Sequence, residues 1–170
     1  MAISEAVLAR LNDQLHAEFD SAYLYLAMAA SLSRQNLPGC ATWMRIQAHE
    51  ETLHAVKLYD FILARDGLVV LKTVDAQTNK WSSVLEVFQQ ALDHEQRQTQ
   101  RLNELSDFAV SEKDHATQSL LRWFVDEQVE EEATLGEVIQ KLKLVGNSGP
   151  GLYMFDQEMG RRPPAALQTA

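Results

Sequence analysis

The chain has 170 residues, of which 46% are hydrophobic and 23% are charged, and its formal net charge is −9. This length suits one domain, 1–170, and the hydrophobic content excludes an intrinsically disordered chain. The excess of acid argues against nucleic acid and anionic membranes as partners, while it is compatible with cations.

The cysteine content and the N-terminus narrow the class of protein further. Cys40 is the single cysteine, which excludes a disulfide framework and a zinc ribbon. The first residues contain neither the basic nor the apolar region of a signal peptide. No apolar run approaches the roughly 18 residues of a membrane span. We therefore expect a cytoplasmic protein without a membrane partner.

Long segments with helical periodicity are separated by clusters of glycine and proline. A capping box of Ser83 and Glu86 marks one helix start, Asp114 marks another, and Gly67 and Gly146 suit helix ends. The pattern predicts four long helices and a short fifth one, at about 4–35, about 37–66, about 83–111, about 114–145 and about 152–159.

Connection lengths set the order of these helices in space. The first and second helices, and the third and fourth, are joined by turns so short that they must be antiparallel neighbours. The segment 67–83 is longer: about 15 extended residues reach about 50 Å, against about 45 Å for a helix of 30 residues. We therefore predict an all-α four-helix bundle with one long crossover connection. A strand pair in the β-rich "LVVLKTV" is the alternative.

The seam of each long helix is apolar except near the helix midpoint. The polar residues found there are Glu18, Glu51, His54, Glu95, Gln128 and Glu131. Because midpoints align whichever way a helix runs, we expect these side chains to meet in one layer. Four buried carboxylates need counter-charge, which two divalent ions would supply. Carboxylates with one imidazole favour iron or manganese, and bridging acids hold two metals about 3.5–4 Å apart.

Other interpretations of single residues remain open. One polar residue at a seam fits a satisfied core residue or a device that fixes register, although a whole layer does not. Tyr25 and Trp123 are either core aromatics or, beside a redox metal pair, a source of a hydrogen bond or an electron.

Four motifs are similar to those of the non-haem bacterial ferritins: "LNDQLHAEFDSAYLYLAMA", "HEETLHA", "EQVEEE" and "GPGLYMFDQEMG". The resemblance extends from about residue 3 to about residue 160. Ferritin-like di-iron bundles use a glutamate from each of two helices and two Glu-x-x-His motifs. This chain departs in the fourth helix, which has Gln128 and Glu131. Haem-binding bacterioferritins are less similar, since Thr52 replaces the expected methionine, so we expect no haem.

The resemblance implies a homo-oligomeric cage of roughly two dozen subunits. Such a cage oxidises Fe(II) with O₂ or H₂O₂ and stores ferric mineral. It also implies a ligand set for each iron. The first iron would be held by Glu18, Glu51 and His54. The second would be held by Glu51, Glu95 and Glu131, with Glu51 bridging and Gln128 beside the ligands. A third would be held by Glu50, Glu127 and Glu130, and Tyr25 would assist at the pair.

Two other functions remain alternatives. One is a di-iron oxidase or peroxidase that stores no mineral. The other is a non-catalytic helical interaction protein whose acids only order its core. The native mass and the metal content after aerobic addition of Fe(II) distinguish all three.

Overall fold

Helices account for nearly all regular structure in the computed structural model, which describes residues 3–75, 77 and 80–163. The elements are α1 (Glu5–Arg34), α2 (Pro38–Ala64), α3 (Val84–Ser111), α4 (His115–Val145) and α5 (Gly149–Met159). The predicted all-α fold with a short fifth helix is thereby confirmed. The described part of 67–83 contains no strand, so the strand-pair alternative is wrong. None of the helices, over the described ranges, is long and apolar enough to cross a membrane.

The start of α3 differs in one detail from the predicted capping box. The Ser83 hydroxyl accepts a hydrogen bond from the Glu86 N–H at 3.1 Å, as a cap does. The Glu86 carboxylate, however, accepts from the Ser82 N–H at 2.7 Å, one residue before the expected donor. At the end of α2 the left-handed residue is Asp66, with φ 57°, and not Gly67.

The start of α4 is tied to the end of α2. Asp114 caps α4 as predicted, accepting from the Thr117 N–H at 3.1 Å. The Arg65 guanidinium donates to both oxygens of Asp114 at 2.8 Å. Gly146 ends α4 with φ 55°, a conformation that glycine adopts without strain.

The start of α2 is capped by a residue of another helix. Leu37 is at the N-cap position and provides no side-chain hydrogen bond. Asp156 of α5 accepts instead from the Gly39 N–H at 3.1 Å and from the Cys40 N–H at 2.8 Å. A Cβ on residue 39 would lie 1.8 Å from the Asp156 carbonyl oxygen. Only glycine therefore lets α5 pack so closely against α2.

The described parts of the crossover between α2 and α3 reach opposite ends of the bundle. Near its start, the Asn12 side chain of α1 accepts from the Val70 N–H at 2.7 Å and donates to the Leu68 carbonyl at 3.0 Å. Near its end, Trp81 is buried in the hydrophobic cluster at the opposite end of the bundle. Helix α3 therefore begins far from the point where α2 ends, as predicted.

The hydrophobic core is divided into two clusters. The near cluster consists of Val7, Leu11, Leu15, Leu58, Ile62, Leu102, Leu105, Ala109, Leu121 and Phe124. The far cluster, at the opposite end, includes Tyr25, Met28, Leu32, Met44, Phe88, Leu135 and Leu142. Backbone packing joins α1 with α2, α3 with α4 and α1 with α3, whereas α2 and α4 are not in backbone contact in the described residues. A cleft opens on this side of the bundle, between α2 and α4.

Candidate metal centre

A polar layer separates the near and far clusters, and all four long helices contribute to it. It contains two sets of possible ligands, Glu18 with Glu51 and His54, and Glu51 with Glu95 and Glu131. Within each set, one ligand atom from every residue lies within 4.8 Å of the others. Glu51 belongs to both sets and is only 1% exposed. The structure thus brings together five of the six seam residues as possible ligands, with the Glu51 carboxylate shared by the two sets. The sixth, Gln128, joins the layer through a hydrogen bond to Glu95.

His54 is oriented by aromatic packing and not by a hydrogen bond to the acids. Its Nδ1 lies 3.9 Å from Glu18 Oε2 and 3.7 Å from Glu51 Oε2, too far for hydrogen bonds. The imidazole packs edge-on against Trp123 and Phe124, with centroid distances of 5.3 and 5.8 Å. The gap between the imidazole and the two carboxylates leaves room for an ion that all three could ligate.

Two glutamines that the sequence analysis missed hold the acids in place. Gln14 Nε2 donates to Glu18 Oε1 at 2.7 Å. Gln47 Nε2 donates to Glu51 Oε1 and to Glu131 Oε1, both at 3.1 Å. Each glutamine precedes its acid by four residues on the same helix, a spacing that places side chains on one face. That spacing is the signal that could have identified them.

Glu95 receives hydrogen bonds on both oxygens. The Tyr25 hydroxyl donates to Glu95 Oε1, and Gln128 Nε2 donates to Glu95 Oε2 at 3.1 Å. Gln128 also donates to the Thr99 hydroxyl at 3.2 Å. Tyr25 and Gln128 therefore fix the carboxylate that α3 contributes.

Glu131 has an oxygen atom without a partner. Its Oε2 is buried and has no hydrogen bond in the part of the chain that the structure describes. A buried acceptor without a partner is unfavourable, and more so when it carries charge. A cation between Glu51, Glu95 and Glu131 would satisfy it. The donor set, oxygen-rich with one imidazole, fits iron.

The layer favours protonated carboxyl groups while no cation is bound. Burial raises the pKa of Glu51, and the charges of Glu95 and Glu18 raise it further. Burial also raises the pKa of Glu95 and of Glu131. The Tyr25 phenol has a pKa well above its usual value because of burial and the neighbouring acids, so it stays a neutral donor.

A cleft of about 680 Å³ lies between α2 and α4 and reaches His54 and Glu131. The three acids predicted to form a third site, Glu50, Glu127 and Glu130, also line this cleft. They do not form a third set at the 4.8 Å distance within the described residues.

The three cleft acids differ in their surroundings. Burial raises the pKa of Glu127, as do the charges of Glu130 and Glu50. Glu50 Oε2 accepts from Arg162 Nη2 at 2.5 Å. Arg162 is a third residue that the sequence analysis missed, and no spacing signal points to it. Glu50 therefore already has a cationic partner in Arg162.

Comparisons with known proteins agree on one family. The family model described as Ferritin-like domain matches residues 8–145. A bacterial non-heme ferritin of Staphylococcus epidermidis is 40% identical over 160 residues, which cover 94% of this chain and 96% of that protein. A bacterial non-heme ferritin of Bacteroides fragilis is 38% identical, with coverage of 94% and 99%.

Solved structures give the same result. An open pore ferritin from the archaeon Archaeoglobus fulgidus has a TM-score of 0.94 and is 42% identical. The match covers 95% of this chain and 100% of that one. A form of the Archaeoglobus fulgidus ferritin that was closed by site-directed mutagenesis has a TM-score of 0.95 and 41% identity, with coverage of 96% and 100%.

Proposed function

This chain belongs to the ferritin family, and on that premise we propose that it oxidises Fe(II) and stores the ferric product as mineral inside a closed cage built from copies of itself. The observation that carries the proposal is the buried carboxylate of Glu51, which belongs to two adjacent ligand sets. Such a bridging acid holds two metal ions close together.

In the proposed pair, Glu18, Glu51 and His54 bind one iron, and Glu51, Glu95 and Glu131 bind the other. Anionic oxygen ligands stabilise Fe(III) more than Fe(II), because the higher charge gains more from each carboxylate. Two ferrous ions bound there would give one electron each, and these two electrons would reduce O₂ to peroxide or, with two protons, H₂O₂ to two water molecules.

The surrounding residues prepare the layer for iron. Gln47 and Gln128 orient the carboxylates, so that the ligand oxygens face one another before iron enters. Tyr25 keeps Glu95 in place by its hydrogen bond. Protons held by the buried acids leave to the solvent as the cations bind, which keeps the charge of the layer low.

The cleft between α2 and α4 gives the oxidised iron a route away from the pair. Glu50, Glu127 and Glu130 line it, and we propose that they form a third, weaker site. This site lacks an imidazole and has an exposed member, Glu130, so a bound ion would keep more water. Iron would pass from the two-iron site through this third site to the interior of the cage.

The test is aerobic addition of Fe(II) to metal-free protein, followed by measurement of ferric absorbance, native mass and retained iron. We expect fast oxidation, a large assembly and many irons per chain. The Glu51→Ala variant should lose fast oxidation while it keeps its helical content and mass. Glu137→Ala, which removes an exposed acid of α4 outside the layer, is the matched control and should behave as wild type.

Three results would contradict the proposal. A small oligomer that keeps only two irons per chain would indicate an oxidase without storage. No bound iron would indicate a non-catalytic helical protein. Wild-type oxidation by well-folded Glu51→Ala would refute the bridging role.

A further inference from the structure

Arg162 brings the segment after α5 back to the metal centre. It follows the end of α5 at Met159, and its guanidinium lies over the Trp43 ring with Cζ 4.3 Å from the centroid. Nη2 donates to Glu50 Oε2 at 2.5 Å, and Nη1 donates to Gln47 Oε1 at 3.0 Å. The Arg162 and Glu50 side chains are only 21% and 24% exposed. This arginine is therefore held by three separate contacts.

The contact with Gln47 determines the orientation of that amide. An arginine has only hydrogen-bond donors, so the Gln47 oxygen must face it. The Gln47 NH₂ group then faces the other way, where it donates to Glu51 and Glu131. One guanidinium thus contacts a cleft acid directly and both ligand sets of the pair through one amide.

Glu50 cannot serve Arg162 and a metal ion equally well. Both are cations, and a divalent ion near Glu50 would repel the guanidinium at the same carboxylate. Glu127 and Glu130 line the same cleft, yet the three acids are not gathered at ligand distance in the described residues. The pairing of Glu50 with Arg162 gives a physical reason for that separation.

We propose that Arg162 is a built-in competitor of metal at the cleft, which occupies Glu50 until an ion leaving the pair displaces it. This proposal rests on the proposed iron-oxidising function and adds a regulator to it. The segment after α5 then sets how readily iron moves from the pair into the cleft. A strong ion pair between Glu50 and Arg162 keeps iron at the two-iron site, and a weak one lets iron move into the cleft.

The first test is calorimetric titration of the assembled, metal-free protein with Zn²⁺, which binds without redox chemistry. Wild type should bind two ions per chain tightly and a third one weakly. Arg162→Gln should bind the third ion about fivefold more tightly, because the competing cation is gone. The two tight ions should bind no more tightly than in wild type, because Gln47, which donates to Glu51 and Glu131, loses the contact that orients its amide.

Two further variants separate this effect from other causes. Arg161→Gln removes the same charge from the adjacent, exposed side chain, and should leave the third ion unchanged. The double variant Glu50→Gln with Arg162→Gln should lose the gain. Equal third-ion affinity in Arg162→Gln and wild type would overturn the proposal, as would an equal gain in Arg161→Gln or no third ion in any variant. If wild type itself fails to bind two Zn²⁺ ions tightly, the result would instead contradict the proposed function.

The second test uses the reciprocity of the competition, because two cations that exclude each other must do so in both directions. The amides of Gly160, Arg161 and Arg162 are hydrogen-bonded to carbonyls of α5, so their hydrogen exchange is measurable. The third equivalent of Zn²⁺ should speed up exchange there severalfold in wild type. Glu50→Gln should not respond to it. An unchanged exchange rate in wild type with the third ion bound would overturn the proposal.

Discussion

Replacement of Glu51 by glutamine should stabilise the metal-free protein. The same substitution should abolish the fast oxidation of Fe(II). Glu51 is buried among Glu18, Glu95 and Glu131, and burial and the charges of Glu95 and Glu18 raise its pKa. Glutamine has nearly the same shape and no charge. Its carbonyl can accept the Gln47 hydrogen bond that Glu51 Oε1 accepts at 3.1 Å, so the substitution removes the repulsion and keeps the contact.

The magnitude follows from the protonation of this carboxyl group. A glutamate in the unfolded chain has a pKa of about 4.3, so holding it protonated at pH 7 costs at most about 1.36 kcal/mol for each of about 2.7 pH units, or about 3.7 kcal/mol. Hydrogen bonding and residual water reduce this limit, and we expect a gain of about 1–3 kcal/mol.

The pH dependence has a definite sign. A carboxyl group whose pKa is raised on folding contributes its stability at low pH and loses it as pH rises. Wild type and Glu51→Gln should therefore be about equally stable below about pH 4, and the advantage of the variant should grow as the pH rises toward 7.

Denaturant unfolding of the metal-free proteins at several pH values measures this difference. Glu137→Gln, at an exposed position of α4, serves as the control and should match wild type throughout. Equal or lower stability of Glu51→Gln at pH 7, with native mass intact, would refute the argument that the layer acids destabilise one another.

Three other predictions test the layer and its support. Two equivalents of Zn²⁺ added near pH 7 in weak buffer should release protons, since the raised carboxyl pKa values keep protons bound; a titration without release would contradict a buried layer. Tyr25→Phe removes a donor to Glu95 and should weaken binding of one tight Zn²⁺ about threefold or more, whereas unchanged calorimetric affinities would show that the hydroxyl is dispensable. Asp156→Ala leaves the Gly39 and Cys40 N–H groups without their carboxylate acceptor and should lower the free energy of unfolding by about 2–3 kcal/mol; a loss below about 0.5 kcal/mol in thermal or denaturant unfolding would mean that water replaces it.

The seam pattern predicted the polar layer because the position of a side chain around a helix follows from the helical repeat. Glu18, Glu51, His54 and Glu95 could be placed without knowing helix directions, since midpoints coincide in parallel and antiparallel bundles alike. The structure shows that these side chains lie close together. Their role as iron ligands stays a prediction.

The contacts made by α5 could not be predicted in the same way. Arg162 and Glu50 are 112 residues apart, and their pairing depends on where α4 ends and how α5 turns. The cap of α2 has the same origin. Leu37 gives the helix no cap of its own, which signals a missing partner but does not identify Asp156. Contacts between distant segments depend on the packed fold, and helical periodicity carries no information about them.

The near and far clusters each take side chains from both hairpins, α1–α2 and α3–α4. Contacts within a hairpin join residues close in sequence and can form early in folding, while docking the two hairpins must wait for closure of the long crossover. That docking step is also the one that forces the acids of the layer together. Iron ligated by Glu18, Glu51 and His54 on one hairpin and by Glu95 and Glu131 on the other would tie the two hairpins at their middle. Bound iron would then slow the separation of the two hairpins. A subunit loaded with iron should therefore unfold more slowly than an empty one, although its helices are the same.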